Sequence, residues 1–322
     1  MAVTATLAEV DDRSSGRSGL RWWRRPSLGE PREWWPDAAT MLVACAGLGV
    51  ALLAVRLLPD TDPLGVDPYG VRMAAVTLAL LVAALAVPRL RLAVPVLIGV
   101  GAVVLPFVLW GSILDLLADT VQPRHLLGLP DHFDYRPGEV VRESVYVAAT
   151  LAAAGVAVWW ARRHGQAPPR IRLLSFGVRA LVATLAVVLG MAVLTLAIPA
   201  QVLGRVALPL ARLSTELPLL GPAFALQGAA QELAFRGVLL GTLERSMPPW
   251  LANAGQALLF GLAHIAIPYE GPAASIVPVT IALGLALGWV TQKTGSIWPA
   301  VVAHAVIEVG QAYVVTPGLY GY

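Results

Sequence analysis

The chain has 322 residues, of which 57% are hydrophobic and only 13% are charged, and its mean hydropathy is +0.70. Soluble domains carry about 25% charged residues, so this composition argues against an ordinary soluble enzyme and predicts a protein embedded in lipid. The net charge of +3 comes from arginines between apolar stretches, which indicates membrane orientation and not nucleic-acid binding. The single cysteine, Cys45, excludes an internal disulfide and a thiolate zinc cluster.

Apolar runs of about 20 residues, the length that crosses a bilayer, recur along the whole chain. They predict an all-α, polytopic transmembrane helix bundle of eight or nine spans. The expected spans lie near residues 38–57, 73–88, 92–113, 144–161, 177–203, 220–240, 251–268, 273–290 and 297–315. The second of these is short and ends at Pro88. Gly284 and Gly288 form a GxxxG pattern in the eighth, which predicts close helix packing.

The same pattern divides the chain into four regions. An Arg- and Trp-rich arm without a signal peptide occupies residues 1–36, and helices without a recognisable motif occupy residues 37–203. Residues 204–219 read as an interfacial connector because charged residues interrupt them. The polar motifs all fall in the last region, residues 220–322.

Arginines gather in the N-terminal arm and in the turns after the second and fourth spans, whereas the alternate loops are acidic. Short loops rich in Lys or Arg stay on the cytoplasmic side of a membrane. We therefore expect a multi-pass protein of the cell membrane, with a cytoplasmic N-terminus and a C-terminus outside. Trp159 and Trp160, next to Arg162 and Arg163, are typical of an interfacial belt at the end of a span.

Polar side chains interrupt three of the last four apolar runs. These residues are Gln231, Glu232, Arg236, His264, His304 and Glu308. An Asp or Arg at the centre of a transmembrane helix costs about 2.5–3.5 kcal/mol on the mildest scale, so the ionisable members of this set need partners. We therefore expect the sixth, seventh and ninth spans to converge on one polar, hydrated site within the bilayer.

Two pairs within this set have helical spacing. Glu232 and Arg236 are four residues apart, which places them on one helix face and predicts a structural ion pair. His304 and Glu308 have the same spacing and leave two interpretations open. They could bind a divalent metal such as zinc, or the carboxylate could hold the imidazole in one tautomer. The zinc-protease signature HExxH is absent from these segments.

The strings QELAFRG, FGLAH and HAVIE, in that order, resemble the motifs of the CPBP family of intramembrane proteases. This family includes the CAAX prenyl endopeptidases and the bacterial bacteriocin-processing or immunity (Abi-type) homologues. Its pattern reads EExxxR, then FxxxH, then HxxxN or a near variant, on successive core helices. The resemblance covers roughly residues 217–315, and three motifs in order are more specific than any one of them.

The resemblance implies an intramembrane endopeptidase that hydrolyses a peptide bond of a membrane-associated or peptide substrate with activated water. It assigns the Arg-paired glutamate to Glu232, the partner arginine to Arg236, the water-binding histidine to His264 and the oxyanion-stabilising histidine to His304. Both a metal-free mechanism and a divalent metal such as zinc, held by His264, His304 and Glu308, stay open. The lipid bilayer and a peptide or membrane-protein substrate are the expected partners.

Two positions depart from the family pattern. Gln231 stands where the family has its water-activating glutamate, and a neutral amide cannot serve as a general base. Glu308 stands where the family has asparagine, and an ionised carboxylate only accepts hydrogen bonds. If the two changes compensate, Glu308 or Glu232 is the base of an active enzyme. If they do not, the chain is an inactive pseudoprotease that acts as a membrane binding or scaffold protein.

Two further function classes fit the buried polar residues. An ion-coupled membrane transporter is one, because buried Glu, His and Arg residues also mark ion paths. A purely structural membrane subunit is the other.

Overall fold

The computed structural model describes residues 31–57, 68–109, 138–166, 169–172, 177–202, 221–222, 225–264 and 277–310. These ranges are helices joined by short turns and contain no strand, so the all-α prediction is confirmed for them. Most of the predicted arm, both acidic loops and the connector at 204–219 lie outside the described residues. The division of the chain into four regions stays a prediction.

The helices of the N-terminal part follow the predicted apolar runs. They are α1 (Pro31–Leu57), α2 (Pro68–Ala86), a 3₁₀ turn (Pro88–Ala93), α3 (Val94–Leu109), α4 (Gly138–Arg163) and α5 (Val178–Val202). Helix α1 begins inside the predicted arm, at Pro31. Proline is well placed there because the first turn of a helix has no intrahelical partner for its N–H groups.

The described residues of the C-terminal part form four further helices. They are α6 (residues 225–246), α7 (Pro249–Ala263), α8 (Val277–Thr294) and α9 (Trp298–Gly310). A tight turn joins α8 to α9 at Gly295, whose φ of 67° lies in the left-handed region that favours glycine. The N–H of Gly295 bonds to the carbonyl of Thr291 at 3.0 Å and closes α8.

The motif-free helices surround the motif-bearing ones. Helix α1 packs against α7, α3 and α4 pack against the middle of α6, and α5 packs against α9. A shared apolar core links α1, α2 and α3 to α6 and α7, with Met41, Leu97, Phe235 and Phe260 among its buried members. The N-terminal helices therefore form the apolar walls that fix the position of the C-terminal core.

Helices α7 and α8 approach each other at the predicted GxxxG pair. A Cβ atom on Gly284 would lie 2.9 Å from the Cα of Ala257, and one on Gly288 would clash with the amide oxygen of Asn253. The side chains of Asn253 and Gln256 cross this contact and donate to the carbonyls of Leu285 and Gly284, respectively. The predicted packing role of both glycines is confirmed.

Within the described ranges, one stretch, Ser144–Arg163 of α4, is long and apolar enough to cross a bilayer. Shorter apolar stretches occur at Ala75–Ala86, Ala180–Gly190 and Trp298–Glu308. The described residues are thus all-helical, whereas the transmembrane bundle of eight or nine spans stays a prediction.

Candidate active site

Helix α6 changes its hydrogen-bonding pattern immediately after Glu232. The segment Leu233–Leu239 is a π-helix, and the N–H of Leu240 bonds to the carbonyl of Phe235, five residues earlier. All seven residues of the π segment are buried. Such turns are rare and are often found at functional sites. The wider turn begins directly after Glu232 and contains Arg236, the two charged residues of the first motif.

Arg236, inside the π segment, forms the predicted ion pair with Glu232. Its Nη1 donates to Glu232 Oε1 at 2.8 Å, and both side chains are fully buried. Its Nη2 donates to the carbonyl of Gly284 at 3.5 Å, so the guanidinium also contacts α8. The guanidinium carbon lies 4.3 Å from the ring centroid of Phe260, in the geometry of a cation–π contact.

His304 lies between two carboxylates. Its Nδ1 is 2.6 Å from Glu232 Oε1, and its Nε2 is 3.1 Å from Glu308 Oε1. Helices α6 and α9 can come this close because Gly228, one turn before Glu232, has no side chain. A Cβ atom there would lie only 3.1 Å from the backbone nitrogen of Ala305. Glu308 thus forms a hydrogen bond with the imidazole of His304. Of the two arrangements that the spacing left open, this is the one in which the carboxylate holds the ring in place.

The two contacts of His304 determine the charge of the cluster. A neutral imidazole has a single N–H group, so it can donate to only one of the two carboxylates. A doubly protonated ring donates to both. With His304 in that state, its charge and that of Arg236 balance the negative charges of Glu232 and Glu308. A neutral set of paired charges is the form that an apolar environment tolerates best.

His264 caps the C-terminal end of α7, beside the cluster. Its Nδ1 is 2.7 Å from the carbonyl of Phe260, and because a carbonyl only accepts, Nδ1 carries the proton. In the neutral ring, the remaining lone pair is therefore on Nε2. The ring of Phe260 lies between the two histidines, with centroid distances of 4.6 Å to His264 and 5.8 Å to His304. His264 also interacts electrostatically with Glu308.

The three motif-bearing helices therefore converge, with Phe260 at the centre. Five of the six predicted site residues belong to this arrangement. The sixth, Gln231, is buried but makes no hydrogen bond to the other five in the described part of the chain. The roles assigned to these side chains stay predictions, whereas their proximity is a feature of the structure.

The site contains buried polar atoms without a partner among the described residues. Arg236 and His304 both contact the same oxygen of Glu232, Oε1. The other oxygen, Oε2, has no hydrogen bond to a described residue. The Nε atom of Arg236 is also buried and has no hydrogen-bond partner among these residues. Buried polar groups normally have a hydrogen-bond partner, whereas Glu232 keeps one acceptor atom that none of the described residues contacts.

Exposure differs across the cluster. The side chain of Glu308 is 15% exposed, whereas that of Glu232 is 0% exposed. His264 is also partly exposed. Glu308 and His264 therefore lie on the more exposed side of the cluster.

A bound metal does not fit the side chains as they are arranged. Both ring nitrogens of His304 bond to carboxylates, so neither lone pair is directed to a further ligand. Among the described residues, no group of three or more His, Cys, Asp or Glu side chains is arranged to hold a metal ion. The set of His264, His304 and Glu308 is thus close in space without forming a metal centre, and the chemistry below uses no metal.

A second buried carboxylate, Glu244, lies near the other end of α6. Arg172 binds it with two nitrogens, at 3.4 Å to Oε1 and 2.7 Å to Oε2. The side-chain amide of Gln292 donates to Oε1 at 2.9 Å and to the carbonyl of Pro249 at 2.8 Å. We call Arg172, Glu244 and Gln292 the terminal clasp. No sequence motif predicts the terminal clasp. The available signal is Glu244 itself, a glutamate just after an apolar run, which needs a cation nearby if it is buried.

Residues 213–310 match a family model described as "Rce1-like: Type II CAAX prenyl endopeptidase Rce1-like". The resemblance predicted from the motifs is confirmed over this segment. All six predicted site residues lie inside the matched segment, whereas α1–α5 lie outside it. No curated protein and no solved structure matches the chain. The CAAX-protease family is a family of proteases, so a protease-like function in general is supported.

Proposed function

We propose that this protein is a multi-pass membrane endopeptidase of the CAAX-protease type, which hydrolyses a peptide bond of a membrane-associated or peptide substrate. The observation that carries the proposal is the contact of His304 with both Glu232 and Glu308, on helices that the motifs predicted to converge. The arrangement brings together a proton acceptor (Glu308), an imidazolium (His304) and a histidine held by a backbone carbonyl (His264).

Glu308 is the proposed general base. Two cations neutralise Glu232, which is fully buried, whereas Glu308 has one imidazolium partner and is partly exposed. Its Oε1 accepts from His304, and its Oε2 is the oxygen that would accept a proton from water. This carboxylate replaces the one that Gln231 lacks, because the side-chain amide of Gln231 cannot take up a proton.

The proposed reaction begins when a water molecule adds to the carbonyl carbon of the peptide bond. The new C–O bond forms as the π bond of the carbonyl breaks, and the proton of the water passes to Glu308 Oε2. A protonated Glu308 accepts more weakly, so the Nε2–H of His304 becomes available to the developing oxyanion. When the tetrahedral intermediate collapses, the C–N bond breaks and the proton goes from Glu308 to the leaving nitrogen.

His264 has a separate role in this scheme. Because its Nδ1–H is bonded to the carbonyl of Phe260, its Nε2 is the acceptor atom. That atom would accept a hydrogen bond from the attacking water and orient its oxygen toward the substrate. His264 is therefore proposed to position the water, and Glu308 to deprotonate it.

The multi-pass membrane location has its own support. Large apolar side chains are exposed along several helices, and Val43 in α1, Val82 in α2 and Leu189 in α5 are examples. Contiguous exposed apolar surface is rare on soluble monomers and fits a lipid environment. The contact of Gln166 with the carbonyl of Arg91 joins two of the arginine-rich turns predicted to be cytoplasmic. We propose that the N-terminus is cytoplasmic and the C-terminus extracytoplasmic.

The test is cleavage of membrane-anchored peptides by the purified protein in liposomes. Glu308→Gln is expected to lower the turnover by at least about 100-fold, the usual contribution of a general base. Glu244→Gln is the matched control, because it removes a buried carboxylate of the terminal clasp and should leave turnover per folded molecule unchanged. Full activity in a variant with both Glu308→Gln and Glu232→Gln would rule the mechanism out.

A pseudoprotease is the second candidate, and Gln231 is the observation that favours it. The chain would then keep the fold and bind a membrane partner without hydrolysis. In this case the unaltered protein cleaves no peptide, and Gln231→Glu restores cleavage by returning the missing carboxylate. Metal analysis of both proteins, with assays before and after chelation, shows whether hydrolysis in either one depends on a metal.

A further inference from the structure

A groove of about 430 Å³ lies on the outer surface of α4, away from the candidate active site. Its lining residues are Gly155, Val158, Trp159, Arg162 and Arg163. Trp159 is 58% exposed, and both arginines are exposed without an ion-pair partner among the described residues. The groove therefore combines two guanidinium groups with an apolar floor, and no acidic side chain from the described ranges lines it.

The position of the groove along α4 fits the boundary of a membrane. The apolar stretch Ser144–Arg163 is the one that meets the length and composition of a membrane span in the described part, and the two arginines form its last turn. Leu151, Gly155 and Trp159 follow each other at four-residue intervals, so they lie on one face of the helix. Leu151 is 54% exposed. An apolar stripe thus runs from the arginines toward the middle of the span.

We propose that this groove binds one anionic phospholipid. The lipid phosphate would lie against Arg162 and Arg163, because the planar guanidinium matches phosphate oxygens with two hydrogen bonds. The indole of Trp159 lies at the level where tryptophans meet headgroups. One acyl chain would follow Leu151 and Gly155 along the stripe. This inference does not depend on the proposed protease activity.

The charges select a headgroup with a net negative charge. A zwitterionic lipid carries a choline or ammonium cation next to its phosphate, and that cation would meet the second guanidinium. An anionic lipid brings the same phosphate without that cation, so neither guanidinium meets a like charge. Each Arg near a membrane surface contributes about a fivefold preference for anionic lipid, so removing two should abolish a preference of about 25-fold.

Gly155 provides a test of the acyl-chain part. A Cβ atom on Gly155 would meet nothing within 4 Å, so a larger side chain can be placed there without disturbing the fold. Gly155→Leu is expected to fill the groove and leave both arginines in place. Gly47 in α1 is equally open and exposed, which makes Gly47→Leu the matched control.

The headgroup experiment uses the full-length protein in an uncharged detergent and native mass spectrometry. We expect retention of one phosphatidylglycerol in strong preference to phosphatidylcholine with the same acyl chains. The double variant Arg162→Gln/Arg163→Gln should lose the preference, whereas Arg89→Gln, another exposed arginine, should keep it. Equal retention of both lipids by the unaltered protein, or an unchanged preference in the double variant, would overturn the proposal.

The acyl-chain experiment uses the same measurement. Gly155→Leu should weaken retention of phosphatidylglycerol several-fold relative to Gly47→Leu, and inorganic phosphate at millimolar concentration should not displace the lipid. Displacement by phosphate alone would mean an anion site without a lipid tail, which contradicts the proposal. An effect of Gly47→Leu as large as that of Gly155→Leu would also contradict it. Thermal unfolding of each variant checks that these exposed substitutions leave the fold intact.

Discussion

Helix α6 carries two buried carboxylates, Glu232 and Glu244, which lie about 18 Å apart along the helix axis and are satisfied in different ways. In the terminal clasp, both oxygens of Glu244 have partners, from the guanidinium of Arg172 and the amide of Gln292. In the candidate site, both partners of Glu232 bond to one oxygen, and the other oxygen has no partner in the part of the chain that the structure describes.

This difference separates a structural ion pair from the proposed active site. A carboxylate with partners on both oxygens fixes the positions of helices and needs no ligand to satisfy it. A buried carboxylate with a free acceptor has a cost that packing alone does not explain. The two clusters also differ in exposure, since Arg172 is 19% exposed and Arg236 is 0% exposed. The same substitution should therefore have different effects at the two ends of α6.

The largest effect is expected from Arg236→Gln. The change removes the guanidinium from a fully buried pair and leaves Glu232 with His304 alone, which should lower the free energy of unfolding by about 3–5 kcal/mol. Denaturant titration of the purified protein in detergent measures this. The double variant Glu232→Gln/Arg236→Gln should recover part of the loss, because the uncompensated charge is gone. A double variant less stable than Arg236→Gln would contradict a pair held by charge.

Gly228→Ala is expected to have the next largest effect. The new methyl group would lie 3.1 Å from the backbone nitrogen of Ala305, and backbone atoms cannot give way as a flexible side chain does. Overpacking of this kind costs about 1–3 kcal/mol, and it should move His304 away from Glu232. Peptide cleavage in liposomes should fall more than the loss of folded protein explains.

The control for that variant is Gly47→Ala, because a Cβ at Gly47 meets nothing within 4 Å. It should leave both stability and cleavage close to those of the unaltered chain. If Gly228→Ala cleaves as well as the control, the close approach of α6 and α9 does not set the site geometry.

The helices and the motif pair were predictable because both depend on local sequence. Apolar runs define α1–α9 to within a few residues at most ends, and a four-residue spacing places Glu232 and Arg236 on one face. The π segment was not predictable, since a wider turn depends on how α3, α4 and α7 pack around it. The contact of Arg172 with Glu244 joins residues 72 positions apart, and no local pattern specifies which cation meets which carboxylate.

The second carboxylate of α6 gives a smaller effect. Glu244→Gln keeps the shape of the side chain but removes the charge that faces Arg172. Partial burial and the guanidinium groups of Arg170 and Arg172 lower the pKa of the neighbouring Arg245, while Glu244 opposes that shift, so the variant leaves three arginines crowded together. We expect a loss of about 1–2 kcal/mol in the free energy of unfolding.

Cleavage distinguishes this variant from a change in the site. The rate per folded molecule should be that of the unaltered chain, because the terminal clasp lies about 18 Å from the cluster. A rate reduced in proportion to that of Glu308→Gln would mean that the clasp takes part in the chemistry, and the contrast between the two carboxylates would fail.

Arg172→Gln is expected to have the smallest effect and completes the comparison with Arg236→Gln. Arg172 is partly exposed, so water can replace it on Glu244, and the amide of Gln292 still donates to Oε1. Partly exposed ion pairs contribute about 0–1 kcal/mol, several-fold less than a fully buried pair. The same denaturant titration measures both arginine variants. Equal losses in the free energy of unfolding for Arg172→Gln and Arg236→Gln would contradict the view that burial separates the two clusters. The oxygen of Glu232 without a partner among the described residues would then be the remaining difference between them.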